Sequence, residues 1–172
     1  MKISPIISKR ITLREYSLED FQEIHEYASD LEVVRYMDWG PNTPEQTKTF
    51  INEQLVHQKE PQRKVFQLAI TLKGLGTLIG GVNVTVEKDS FGLLGYCLNK
   101  RYWGRGYATE AALAIIKFAE TKLGLKKFRG TCDVLNQGSQ RVLEKCGLKQ
   151  VRFMKKNKCI RGKWRSTLVY EG

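Results

Sequence analysis

The sequence has few of the residues that support metal, disulfide or histidine chemistry. Its 172 residues include two histidines and four cysteines, and Cys97, Cys132, Cys146 and Cys159 form no C-x-x-C pair. Zinc sites usually require such closely spaced pairs. We therefore predict that the protein binds no metal and that its thiols stay reduced and pack as small apolar groups.

Long apolar runs are also absent. A membrane-spanning helix needs about 20 apolar residues, and no window of the sequence approaches that. The apolar residues at the start are few and are interrupted by Pro5, which is unlike a secretory signal. Hydrophobic residues still make up 41% of the chain, enough for one globular domain over residues 1–172. We expect a cytoplasmic monomer or homodimer without a membrane partner.

The positive charge is confined to one part of the chain. Residues 1–100 carry 12 basic and 13 acidic side chains, whereas residues 101–172 carry 17 basic and 5 acidic ones. The whole formal charge of +11 therefore comes from the second segment. Such a bias indicates a polyanionic partner, which the charge alone leaves open between nucleic acid, an acidic membrane and a phosphate-bearing small molecule.

Alternating and helical patterns follow one another along the chain. Thr43-Pro44-Glu45-Gln46 combines a capping box with proline at the first helical position and predicts a helix to about residue 59. Three segments, at 65–72, 77–86 and 91–98, predict an antiparallel meander. A helix over about 107–123 then joins two strands that should be parallel. The fold class is α+β, with a mixed, mostly antiparallel sheet of about seven strands and about four helices.

The strongest local signal is the glycine-rich turn before the 107–123 helix, Arg101-Tyr102-Trp103-Gly104-Arg105-Gly106-Tyr107-Ala108-Thr109-Glu110-Ala111. Glycines there allow backbone N–H groups to converge beside a helix N-terminus, which favours a phosphate. The Gly-Lys-Ser/Thr ending of a P-loop and the third glycine of a dinucleotide fingerprint are both missing. A strand-to-helix turn without any ligand is the alternative interpretation.

Three motifs in order resemble the GNAT superfamily of acetyl-CoA-dependent N-acetyltransferases, particularly the Rim-type branch that acetylates N-terminal alanines of ribosomal proteins. The opening Arg10-Ile11-Thr12-Leu13-Arg14 is similar to that branch. So are Gly95-Tyr96-Cys97-Leu98 with the turn, and Asn136-Gln137-Gly138-Ser139 with Val142-Leu143-Glu144-Lys145-Cys146-Gly147-Leu148. The resemblance covers almost the whole chain. It implies the single-domain GNAT fold, with the parallel strand pair splayed around a coenzyme site.

The resemblance also implies where acetyl-CoA binds. Backbone N–H groups of the turn would hold the pyrophosphate, and main-chain groups of the preceding strand would pair with the pantetheine arm. The implied contact residues are Tyr96, Cys97, Leu98, Gly104, Arg105, Gly106, Tyr107, Ala108, Thr109 and Asn136. The family's pyrophosphate motif can be aligned with this turn in two ways, beginning at Arg101 or at Trp103. The Thr109-Glu110-Ala111 that follows favours the alignment that begins at Trp103.

The catalytic groups are less complete than the coenzyme motif. Many GNAT enzymes have a Tyr that protonates the leaving thiolate, but Leu143 occupies the matching place. The Rim-type branch implies Ser139 instead, whose alternative role is to satisfy donors at a helix N-terminus. Asp38, Glu87 and Asp89 are the candidate bases, with surface solvation as the alternative. Asp38 and Trp39, in an aromatic loop, are the candidate acceptor-binding residues.

The acceptor amine remains open at this point. At pH 7 about 14% of an α-amine but about 0.04% of a lysine amine is neutral. An enzyme without a strong base is therefore better suited to a protein or peptide N-terminus, although a small amine such as an antibiotic or polyamine is the alternative. Residues 149–165 carry eight Lys or Arg and no acid. That stretch predicts contact with the ribosome or RNA, or alternatively a non-catalytic RNA-binding module.

Overall fold

The computed structural model describes residues 3–87 and 91–172. The strands are β1 (Ile6–Ile7), β2 (Ile11–Arg14), β3 (Val65–Leu72), β4 (Leu78–Val86), β5 (Phe91–Leu98), β6 (Lys127–Asp133), β7 (Lys149–Ile160) and β8 (Lys163–Glu171). The α-helices are α1 (Phe21–Ala28), α2 (Leu31–Val34), α3 (Pro44–His57), α4 (Tyr107–Leu123) and α5 (Gln137–Lys145). The predicted turn residues 88–90 lie outside the described residues.

All eight strands belong to one mixed sheet in the order β1-β2-β3-β4-β5-β6-β8-β7. The predicted meander β3-β4-β5 is antiparallel, and β5 and β6 are parallel, as expected for two strands joined by a helix. The α+β fold predicted from the sequence is thereby confirmed. The structure adds β1 and α2 to the predicted elements, and both are too short to show a periodic pattern.

Local sequence explains where the two long helices begin and end. At the start of α3, the Thr43 hydroxyl accepts from the Gln46 N–H at 3.2 Å, and the Thr43 N–H donates to Gln46 Oε1 at 2.8 Å. The predicted capping box is therefore confirmed. Helix α4 begins after Gly106 and ends before Gly124, and both glycines have left-handed backbone conformations. Glycine tolerates that conformation without a steric penalty.

The sheet has a hydrophobic core on each face. On one face α4 and α5 pack against the strands through buried residues such as Ile115, Leu143 and Val82. On the other face α1, α2 and α3 cover a smaller cluster that includes Ile24 and Ile51. No helix within the described residues has the length and apolar character needed to cross a membrane.

The parallel pair β5 and β6 separates partway along its length. The two strands are paired from Phe91 with Lys127 to Leu94 with Gly130 and no further. Beyond that point β5 remains paired only with β4, while β6 continues with β8. The splayed pair implied by the family resemblance is confirmed. The opening exposes the end of β5, immediately before the glycine-rich turn.

Candidate active site

The glycine-rich turn presents six consecutive backbone N–H groups, those of residues 104–109, without an intramolecular hydrogen-bond acceptor among the described residues. The first hydrogen bond of α4 runs from the Glu110 N–H to the Gly106 carbonyl, so the amides before it stay free. Gly104 and Gly106 have φ values of 73° and 80°, which an L side chain rarely adopts. Free amides at the positive end of a helix fit a pyrophosphate.

Arg10, immediately before β2, contacts this turn through its side chain. Its Nη1 donates to the Arg105 carbonyl at 2.9 Å and its Nε to Glu110 Oε2 at 2.8 Å. The guanidinium also lies 4.6 Å from the centre of the Tyr107 ring. Burial opposes ionisation of Glu110, but the hydrogen bonds from the Arg10 backbone and side chain outweigh it and lower the pKa of that carboxyl. Sequence reasoning missed this role of Arg10, because contacts between residues 95 positions apart leave no periodic signal.

The end of β5 lies next to the turn and to α5. The Trp103 indole N–H donates to the Leu98 carbonyl at 2.9 Å, so this side chain folds back onto the strand. Arg101 instead points to Glu26, with Nη2 and Oε1 3.0 Å apart. If the pyrophosphate motif begins at Trp103, the side chain of its first residue packs against β5. Its last residue, Ala108, then contributes one of the free amides. Cys97 lies in this strand, and burial raises the pKa of its thiol to about 12.

Ser139, on α5, and Tyr96, on β5, are in direct contact. The two hydroxyl oxygens are 2.8 Å apart, and the Ser139 carbonyl oxygen lies 3.0 Å from the Tyr96 hydroxyl, whose single proton can go to either oxygen of Ser139. Burial raises the pKa of the Tyr96 phenol, although the Ser139 hydrogen bond opposes the shift. The capping group of α5 is Asn136, whose Oδ1 accepts from the Ser139 N–H at 3.1 Å. Among the described residues, the Ser139 hydroxyl itself makes no capping hydrogen bond to the backbone of α5, and it faces Tyr96.

A cavity of about 950 Å³ opens from this point toward α1 and α3. Its wall includes Tyr96, Cys97, Asn136 and Ser139 from the sequence-predicted site. The residues of the free amides, 104–109, are not part of this wall. The predicted site residues are therefore divided between the turn and the wide cavity.

The predicted acceptor residues Asp38 and Trp39 both line the cavity, and the hairpin of β7 and β8 holds their loop in place. Lys158 Nζ lies 3.2 Å from Asp38 Oδ2. Arg161 donates to the Gly40 carbonyl at 2.7 Å and also to the carbonyls of Val34, Met37 and Trp39. Two cations of the basic segment are therefore engaged within the molecule rather than free for a partner.

Asp133, at the end of β6, is a cavity residue that the sequence did not single out. It is 7% exposed and accepts from Arg165 Nε at 2.6 Å and Nη2 at 2.8 Å. The Arg165 guanidinium also lies 5.3 Å from the centre of the Tyr36 ring. This bidentate pair links the neighbouring strands β6 and β8 at the cavity wall. A single Asp among apolar residues has no spacing that would have identified it.

The candidate bases have different surroundings. Asp38 is ion-paired, as described above. Glu87, the exposed residue that follows β4, lies outside the cavity with its carboxylate 3.7 Å from Arg129 Nη1. Asp89 lies outside the described residues. Within residues 3–87 and 91–172, no group of three potential metal ligands is close enough to hold an ion.

Comparison with known proteins gives matches over most of the chain. The profile of the acetyltransferase (GNAT) domain matches residues 10–149. YnaD of Bacillus subtilis, an uncharacterised N-acetyltransferase, is 33% identical over 159 residues, which are 90% of this chain and 87% of that protein. A GNAT-family acetyltransferase from Bacillus anthracis has a TM-score of 0.87 at 28% identity, with 98% of each chain covered.

The α-N-protein acetyltransferase RimL, solved in complex with coenzyme A, has the same fold at 18% identity, with a TM-score of 0.87 and coverage of 98% of this chain and 97% of that one. The fold and the site define an acyltransferase that takes its acyl group from a coenzyme A thioester. The chain belongs to the GNAT acetyltransferase family. It is an acetyl-CoA-dependent N-acetyltransferase, and its acceptor is an amine.

Proposed function

We propose that the protein acetylates the α-amine at a protein or peptide N-terminus. The observation that carries this proposal is the balance of charge in the cavity. Three carboxylates line it, those of Asp38, Glu53 and Asp133, together with three cations, Lys158, Arg161 and Arg165. A polyamine needs a site with excess negative charge, which this cavity lacks. A single α-amine attached to a largely neutral peptide suits the balance better.

The size of the cavity supports the same acceptor. A volume of about 950 Å³ lies at the upper end of the range usual for small-molecule sites. It offers room for several residues of an extended chain beside the splayed strands. The fold similarity to RimL is compatible with a protein acceptor, but at 18% identity it concerns the fold alone.

In the proposed reaction the neutral amine attacks the acetyl carbonyl directly within a ternary complex. The N–C bond forms, the C–S bond breaks, coenzyme A leaves as a thiolate, and the nitrogen loses one proton to water. The free amides of residues 104–109 fix the pyrophosphate, and main-chain groups of Tyr96, Cys97 and Leu98 hold the pantetheine arm. Placement of the two reactants contributes much of the rate, since effective molarities of about 10⁵ M or more are available to well-oriented groups.

Ser139 stabilises the departing thiolate in this proposal. When the single Tyr96 proton is donated to the Ser139 hydroxyl, at an oxygen–oxygen distance of 2.8 Å, the Ser139 proton is free to be donated toward sulfur. Asn136 keeps Ser139 in place by capping α5 through the Ser139 N–H. Both contacts lie at the opening between β5 and β6, where the coenzyme arm enters.

The remaining basic side chains of the hairpin are proposed to contact a polyanionic partner such as the ribosome. These exposed residues are Lys149, Arg152, Lys155, Lys156 and Lys163. Such binding would weaken steeply as the salt concentration rises. Failure to bind ribosomes or RNA at low salt would refute this part of the proposal without affecting the enzymatic part.

An amine panel tests the acceptor. We expect acetylation of peptides with a free N-terminus and no modification of the same peptides after N-terminal blocking, even where they contain lysine. Intact-mass measurement gives the number of acetyl groups and fragmentation gives their position. Acetylation of spermidine or free lysine, with peptide N-termini left unmodified, would refute the proposal.

A further inference from the structure

One carboxylate in the cavity wall has no ion-pair partner. Asp38 is paired with Lys158 and Asp133 with Arg165, at 3.2 and 2.6 Å. Glu53, on α3, makes no ion pair within the described residues 3–87 and 91–172. Its side chain is exposed at the cavity surface, so its charge is available to a molecule that enters.

Glu53 belongs to a continuous helix face that forms one side of the cavity. Gln46, Thr49, Phe50, Glu53 and Gln54 all line it, with the spacing of three and four residues that places side chains on one side of a helix. Gln54 is 6% exposed, and its Nε2 donates to the Phe50 carbonyl at 3.1 Å. Its Oε1 is buried without a hydrogen-bond partner among the described residues.

An unpartnered buried carbonyl oxygen costs free energy unless a donor reaches it. Gln54 Oε1 accepts hydrogen bonds only, and the neighbouring Glu53 carboxylate also accepts only. A molecule that binds the Glu53 carboxylate by charge must be cationic, and a hydrogen-bond donor is what the Gln54 oxygen lacks. An ammonium, with three N–H donors and one positive charge, has both properties.

Two amide side chains, those of Gln67 and Asn83, form a row across the sheet from β3 toward Gly95 of β5. Gln67 of β3 is paired with Asn83 of β4, and Asn83 with Gly95 of β5, so the three residues share one sheet face. All three line the cavity. Asn83 Oδ1 lies over Gly95 so closely that a Cβ at position 95 would collide with it. The row therefore ends on β5 one residue before Tyr96.

We infer that Glu53, the residue before Gln54 with its unpartnered oxygen on this helix face, recognises the acceptor's ammonium group as it enters the cavity. At pH 7 about 86% of an α-amine is protonated, so the ammonium is the form that first meets the cavity. The amide row offers neutral hydrogen-bond partners between this entry point and Gly95. The inference rests on the proposed function only in taking an α-amine as the acceptor, since any primary ammonium has the same chemistry.

Glu53→Gln tests the inference, because it removes the charge and preserves the shape of an exposed side chain. The probes are an alanine tetrapeptide amide with a free N-terminus and phenylethylamine. We expect the KM of the accepted probe to rise about two- to fivefold, the loss of one partly exposed ion pair. The KM for acetyl-CoA should stay within twofold, because Glu53 lies away from the coenzyme turn.

Glu120→Gln is the matched control, since Glu120 is an exposed carboxylate on α4 and not part of the cavity wall. Its acceptor KM should match that of the wild-type protein. An unchanged acceptor KM in Glu53→Gln, or an equal rise in both variants, overturns the inference. Acetylation of phenylethylamine alone refutes the proposed peptide acceptor, while a KM rise for that amine in Glu53→Gln still supports Glu53. If the wild-type protein acetylates neither probe, both proposals are overturned.

Discussion

Replacement of Ser139 by alanine tests the proposed thiolate stabiliser. The Ser139 hydroxyl lies 2.8 Å from the Tyr96 hydroxyl, so it can donate its own proton to a charged sulfur while it accepts from Tyr96. A hydrogen bond to a charged group is worth about 1.5–3 kcal/mol. If that bond forms only as the thiolate develops, its loss lowers kcat about 10- to 150-fold.

The assay is steady-state turnover with chromatographic separation of coenzyme A from acetyl-CoA, which avoids thiol reagents that would also label the protein. The KM for acetyl-CoA should remain within about twofold, because the interaction belongs to the transition state. Thermal unfolding of the same variant should shift by about 2–4 °C, the effect of roughly 1 kcal/mol from one neutral hydrogen bond in a chain of this size.

Tyr96→Phe is the matched control for this prediction. It removes the same hydroxyl contact from the other side but leaves the Ser139 hydroxyl in place. We expect a similar loss of thermal stability and a smaller fall in kcat than in Ser139→Ala. A Ser139→Ala variant with kcat within twofold of the wild-type value, and with only the stability loss, would refute the catalytic role and leave Ser139 a structural residue.

Three further outcomes are expected. Arg10→Ala should lower stability by about 1 kcal/mol near pH 7. Because the folded-state pKa of Glu110 is lowered from its usual value of 4.5, this difference should shrink as the pH falls below 4.5 and through the folded-state pKa in thermal-unfolding scans, and a difference independent of pH would contradict the ion pair. Burial raises the pKa of the Cys132 thiol to about 11 and that of Cys97 to about 12, so mass spectrometry after brief alkylation at pH 8 should find exposed Cys159 modified first, and faster labelling of Cys97 would contradict the burial. Asn136→Ala should cost about 1 kcal/mol through loss of the α5 cap, measured by urea unfolding, whereas an unchanged midpoint would contradict the cap.

The parts of the fold that were predictable are those with local chemical signals. The capping box at Thr43 and the glycines that bound α4 each act within a few residues, so the sequence alone identifies them. The family resemblance supplied the splayed pair. Strand β1 and helix α2, with two and four residues, are too short for any pattern and depend on tertiary contacts.

The site was only partly predictable for a related reason. The turn and the α5 motif are each a continuous stretch of sequence, so the sequence alone can single them out. The Arg10 contacts, the Asp133 and Arg165 pair and the position of Glu53 result from elements far apart in sequence. The basic segment 149–165 shows most clearly what sequence cannot reveal. Its charge suggested a free surface. Arg161 nevertheless donates to four backbone carbonyls between residues 34 and 40, more than 100 positions away.

Hydrogen–deuterium exchange with and without acetyl-CoA tests the central claim most directly. The N–H groups of residues 104–109 have no intramolecular acceptor among the described residues and should exchange quickly in the free protein. A pyrophosphate held by these groups should slow their exchange strongly, with a smaller effect at residues 96–98. Saturating acetyl-CoA that leaves exchange at residues 104–109 unchanged, or protects a different segment instead, would contradict the assignment of this turn as the coenzyme site.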